Sequence, residues 1–199
     1  MITSIMVVLL ISGAFRALAE NQTSGLAKGD VFYYEMYAEY SSSNPDVVIQ
    51  VPPFEANNTS WVRIEITDVS NSIISQVYTI RYLNGNEIRV KGQTDLTDPS
   101  GYSNNFRGVP ICKANLNVGD DILGGQLVVN DTQTRIFLGS TRQLIHTSWS
   151  SPIDYGECYF DRQTGILTEL FHVHLYINPE TNESINKTDI VKMTNSSLW

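Results

Sequence analysis

The chain has 199 residues, enough for one domain with a substantial core and too few for two comfortable ones. Charged residues make up 17% and aromatics 10%, with ten tyrosines, so the surface is built more from neutral polar groups than from ions. A net charge of −8 without clustered Lys or Arg argues against nucleic acid and acidic macromolecules as partners, because phosphate binding needs concentrated positive charge.

The first element is an apolar run from Ile5 to Ile11, followed by Ser12-Gly13-Ala14 and Ala17-Leu18-Ala19. It has the length of a secretory apolar region, is too short to span a bilayer, and ends in the small residues a signal peptidase requires. Residues 1–19 are therefore expected to be a signal peptide and residues 20–199 a single β domain, with no transmembrane segment in the mature chain. No basic residue precedes the run, and the rival reading is a buried N-terminal strand. Seven Asn-x-Ser/Thr sequons, at Asn21, Asn57, Asn58, Asn130, Asn182, Asn186 and Asn195, fit a secreted or cell-surface glycoprotein; their plainer role is turn formation.

Strands follow. Val31 to Tyr40 alternates, with Phe32, Tyr34, Met36, Ala38 and Tyr40 on one face, and Trp61 to Val69 turns Val62, Ile64 and Ile66 inward. Ile73 to Leu83 and Asn86 to Lys91 flank Asn84-Gly85, which reads as a two-residue type I′ hairpin turn. Residues 94–119 are rich in Pro, Gly, Asp and Ser and form a connection with at most one short helix. Strands resume at Gln126 to Asn130, Arg135 to Gly139, Arg142 to Trp149, Tyr155 to Asp161 and Ile166 to Ile177. The last two are joined by a turn whose Gly165 occupies a left-handed position, and Ser184 to Thr194 is the final strand. About ten strands in succession make an all-β fold, a strongly curved antiparallel sheet or an open half-barrel.

Site candidates are few. Cys112 and Cys158 are the only cysteines, and after export they are expected to form one disulfide, worth about 4 kcal/mol through the unfolded chain; two buried free thiols are the alternative. His146, His172 and His174 are the only histidines and form a metal site if they converge, although Val173, Leu175 and Ile177 read as the buried face of their strand and leave His172, His174 and Tyr176 toward solvent. Asp120-Asp121 reads as a turn, and neither it nor Asp131 or Asp161 lies in a calcium-loop pattern. Nucleophile and nucleotide motifs are absent, so no catalytic residue and no cofactor are assigned. Phe32, Tyr34, Met36, Tyr40, Phe137, Trp149, Phe160 and Phe171 are available to line an apolar pocket on a concave face or, more simply, to fill the core.

Three phrases in order, Gly29-Asp30-Val31-Phe32-Tyr33-Tyr34, Ala114-Asn115-Leu116 with Gly119-Asp120, and Tyr159-Phe160-Asp161 with Thr164-Gly165-Ile166-Leu167, resemble uncharacterised secreted or surface proteins of archaea. That resemblance covers residues 28 to 199 and implies a surface location without any known reaction. The expected shape is also similar to the half-barrel of LolA-type lipoprotein carriers. Together these readings point to a secreted or cell-envelope, non-catalytic binding domain holding a lipid-like ligand or a surface protein on its concave face. The alternatives are a glycosylated structural or adhesive module and, third, a metal-dependent enzyme.

Overall fold

The computed structural model describes residues 24–46, 56–97, 111–122, 127–177 and 183–199. The signal segment, Asn21, Asn182 and the centre of the 94–119 connection lie outside them. The strands are β1 (Val31–Ser42), β2 (Thr59–Ser70), β3 (Ile73–Tyr82), β4 (Glu87–Asp95), β5 (Asp121–Ile122), β6 (Leu127–Val128), β7 (Asp131–Phe137), β8 (Ser140–Ser151), β9 (Asp154–Asp161), β10 (Leu167–Ile177) and β11 (Ser184–Ser196). Among the described residues the one helical turn is a 3-10 turn at Ala56–Asn58. No helix among them is long and apolar enough to cross a membrane.

The chain is all-β, and nine strands form one antiparallel sheet in the order β4-β3-β2-β1-β11-β10-β9-β8-β7; it is not a closed barrel. Two meanders, β1 to β4 and β7 to β11, meet through the first and last strands, which pair from Phe32↔Ser196 to Ser42↔Ile185. Of the expected strand Gln126 to Asn130, Leu127–Val128 is not part of this sheet: β6 pairs with β5, in a separate two-stranded ribbon. Alternation in β1 and β2 holds as expected, with Phe32, Tyr34, Val62, Ile64 and Ile66 fully buried.

Two turns correct the sequence reading. The β3–β4 loop has three residues inside the Tyr82–Asn86 pair, where Tyr82 N–H donates to Asn86 O (2.9 Å): Gly85 N–H donates to Tyr82 O (2.9 Å) and Gly85 alone of the loop has a positive φ (86°), which makes a type I turn with a glycine bulge. The tight turn with two left-handed residues is Leu138-Gly139 (φ 48° and 81°), between β7 and β8. Leu138 tolerates this strained conformation because its side chain packs against the core.

The sheet curls around one core. The Trp199 ring lies 6.4 Å from that of Phe32 on β1 and 4.3 Å from the Arg142 guanidinium on β8. Those strands are four spacings apart, about 19 Å in a flat sheet. Segment 24–30 likewise runs from the β9–β10 turn, where Gly25 N–H donates to Thr164 O (3.3 Å), to β2, where Gly29 N–H donates to Ile66 O (2.8 Å). Leu26, Ile111, Cys112, Leu116 and Ile122 then close the core over this end of the sheet.

Both cysteines are buried free thiols, so the expected disulfide is replaced by the alternative. Burial pushes the Cys158 thiol up to about 12 and Cys112 higher still. Both stay protonated and unreactive near neutral pH, since the thiolate is the nucleophile. We expect no labelling by iodoacetamide at pH 8 in the folded protein, and two labels per chain after unfolding without reductant. Labels that appear only after reduction would contradict the structure.

Candidate functional site

β10 carries a register shift between Leu167 and Glu169, where one extra residue is inserted opposite β9. Counting in twos from the buried Leu167 places Val173, Leu175 and Ile177 inside. The bulge reverses this. Beyond it Leu170 pairs with the buried Cys158 and Val191 and packs on the core, so His172 and His174 continue the inner face. Val173, Leu175 and Ile177 belong to the outer face with Phe171, whose ring meets Tyr155 at 6.1 Å.

Along the inner face the side chains change from apolar to polar. At the level of His172 the neighbours across the sheet are Ala38, Asp189, Gly156 and Trp149; at the level of His174 they are Tyr40, Lys187, Asp154 and Ser151. Asp154 is the centre of the group. Its Oδ1 accepts a hydrogen bond from His172 Nε2 and lies 3.6 Å from His174 Nδ1, while its Oδ2 accepts one from Trp149 Nε1 (3.3 Å). One ligand-type atom from each of Asp154, His172 and His174 falls within 4.8 Å of the others. Desolvation pushes the Asp154 carboxyl up, but the hydrogen bond and charge of His172, with His174 and Trp149, outweigh it and hold the carboxyl below its usual range.

Trp149 lies directly on Gly156. A Cβ there would meet the indole at 2.1 Å, so only glycine admits the ring beside His172, 5.6 Å between ring centroids. On the other flank Lys187 is only 5% exposed; its Nζ pairs with Asp189 Oδ1 at 2.9 Å and lies 5.9 Å from the Tyr40 ring centroid. The central three remain open to solvent, with side chains 28% (His172), 30% (His174) and 33% (Asp154) exposed. A small ligand can therefore reach donors held on paired strands.

His146 does not join them. It stands on the outer face, stacked on Tyr159 (4.6 Å), with its ring nitrogens facing Asp131 Oδ2 (3.1 Å) and Glu157 Oε2 (3.3 Å). The triad of three histidines is thus corrected to two histidines and Asp154. The sequence offered Trp149 only as an apolar pocket candidate and carried no sign of Asp154 or Gly156, because each enters the cluster through cross-strand register.

Compared with models of known protein families, with curated proteins and with solved structures, the chain shows no match.

The eight aromatic and apolar candidates separate. Phe32, Tyr34, Phe137 and Phe160 are buried and fill the core, Met36 and Trp149 pack against its edge, Tyr40 sits beside Lys187, and Phe171 is on the outer face. They do not line one pocket. Asp120 forms a turn as expected, its carboxylate accepting from Asn117 N–H (2.7 Å), and Asp161 is engaged by Arg142 and Thr164. Among the described sequons, Asn57, Asn58, Asn130, Asn186 and Asn195 are all exposed; the Asn57 amide is engaged with Ala38 N–H and C=O (2.7 and 2.6 Å), and Asn130 Oδ1 accepts from Ser148 N–H (2.6 Å).

Proposed function

We propose that this protein is an exported, non-catalytic binding domain that takes a small polar ligand on the part of the inner sheet face carrying His172, His174 and Asp154. One observation carries the reading: ionisable groups occupy the core-facing side of the sheet, where the fold alone favours apolar residues. Their donor atoms converge within 4.8 Å of one another while the side chains stay 28–33% exposed, and Leu170 and Ala38 on the same face show that apolar side chains fit there.

Export is supported by the apolar run ending in Ala17-Leu18-Ala19 and by the exposed sequons. A polar ligand is preferred to a lipid-like one because the large aromatics are consumed by the core. A binding role is preferred to catalysis because, among the described residues, no serine or threonine hydroxyl or cysteine thiol is hydrogen-bonded to His172 or His174.

Native mass spectrometry of the protein purified from its own host tests both halves. The expected species is a chain beginning at Glu20 that carries a bound small molecule or ion, lost when His172 and His174 are both changed to Ala. An uncut chain recovered from the cytosol contradicts export, and a bound species that survives the double substitution contradicts the site.

A further inference from the structure

We propose that Asp154, His172 and His174 bind a divalent first-row transition ion, with Zn²⁺ as the simplest representative. The inference rests on the binding reading above and names the ligand.

The donor set is the first reason. Two imidazole nitrogens and one carboxylate oxygen suit Zn²⁺ and its neighbours, whereas Ca²⁺ and Mg²⁺ require mostly oxygen donors. Spacing is the second. Around a tetrahedral ion with bonds of about 2.0–2.1 Å, adjacent donors stand roughly 3.4 Å apart. The three donors already lie within 4.8 Å of one another, with His174 Nδ1 3.6 Å from Asp154 Oδ1, so small side-chain rotations, including one that opens the hydrogen-bonded His172–Asp154 pair, reach that spacing.

The third reason is how the carboxylate is held. Oδ1 is the oxygen turned to both imidazoles, and Oδ2 is anchored by the Trp149 indole N–H. A ligating carboxylate fixed by a hydrogen bond to its other oxygen is the usual outer support of a metal centre. His172 and His174 project from β10, which is paired on both sides by β9 and β11, so the backbone beneath the donors is rigid. Three protein donors leave a further position for water or for a donor of a second ligand. His146 offers a contrast: its carboxylate neighbours lie at opposite nitrogens, so its contacts diverge and cannot converge on one ion.

The test is calorimetric titration of the chelator-treated, dialysed protein with Zn²⁺, with Co²⁺ absorption reporting the ligand field. The expected result is one ion per chain at about micromolar affinity, no comparable binding of Ca²⁺ or Mg²⁺, and unchanged binding in His146→Ala. His172→Ala, His174→Ala and Asp154→Asn should each weaken binding at least about tenfold, and Trp149→Phe about tenfold through loss of the anchor. These side chains are partly exposed, and thermal melts of each variant establish that it folds. Wild-type protein that takes up no stoichiometric Zn²⁺ at about 100 µM, or binding that persists when both His172 and His174 are Ala, overturns the inference. If the wild type fails to bind Zn²⁺ yet the host-purified chain carries another species lost in the double variant, the ion is wrong and the binding site stands.

Discussion

Asp161→Ala is expected to lower stability by about 3–5 kcal/mol, the usual cost of removing one partner of a buried ion pair. The Asp161 side chain is 1% exposed and terminates β9. Its two oxygens accept from Arg142 Nε (2.7 Å) and Nη2 (2.8 Å), and Oδ1 also accepts from Thr164 N–H (2.9 Å) and Oγ1 (2.8 Å). One carboxylate therefore ties β8 to β9 and closes the β9–β10 turn. Truncation leaves the Arg142 guanidinium, 16% exposed, without its anion beside Trp199. It also removes both side-chain bonds to Thr164, next to Gly165, which has a positive φ (77°) and lies so close to Cys112 O that a Cβ would stand 2.0 Å away. Urea unfolding measures the effect as a lower midpoint with an unchanged slope. Asp161→Asn, which keeps one acceptor oxygen for Thr164, should lose about half as much. A loss below about 1 kcal/mol for the alanine variant would mean that this carboxylate does not tie the two strands and the turn together.

Gly156→Ala is expected to cost about 1–3 kcal/mol and to dismantle the inner-face cluster at the same time. The added Cβ would lie 2.1, 2.4 and 2.6 Å from three indole atoms, so Trp149 must leave its place over β9. Its N–H then no longer holds Asp154 Oδ2, and its contact with His172 is lost. The emission of a more hydrated Trp149 should shift to longer wavelength, and ligand affinity at the cluster should fall together with stability. In Trp149→Phe the smaller ring relieves most of the overlap, so adding Gly156→Ala to that background should cost clearly less than it does alone. An equal cost in both backgrounds would show that the indole does not set the requirement for glycine.

Asp161 and Gly156 act through partners on other strands, which local pattern does not reveal. Phe32, Tyr34, Val62, Ile64 and Ile66 are buried as their alternation requires, because one solvated face imposes a period of two on any strand. Gly165 occupies its left-handed turn for a similarly local reason. At Asn84-Gly85 the hairpin is present but with a three-residue loop, and the two-residue turn with both residues left-handed falls at Leu138-Gly139, where core packing of Leu138 overrides the preference for Asn or Gly.

The faces of β10 are set by its bulge. Inserting a single residue opposite β9 exchanges the two faces of everything that follows, and neither Thr168 nor its neighbours announce the bulge. The same residue inserted or removed decides whether His172 and His174 look at solvent or at Asp154.

Strand content, an all-β class, the places of most turns and the apolar set available for the core were determined by the sequence alone, since each depends on neighbours within a few residues. Tertiary structure decided that β1 and β11 join the two meanders, that Cys112 and Cys158 remain separate thiols, and that Asp154 and Trp149 meet His172 and His174 while His146 stands on the other side. These depend on which strands pair and in what register. The choice is made by the free energy of burying one shared core, which no short stretch of the chain contains.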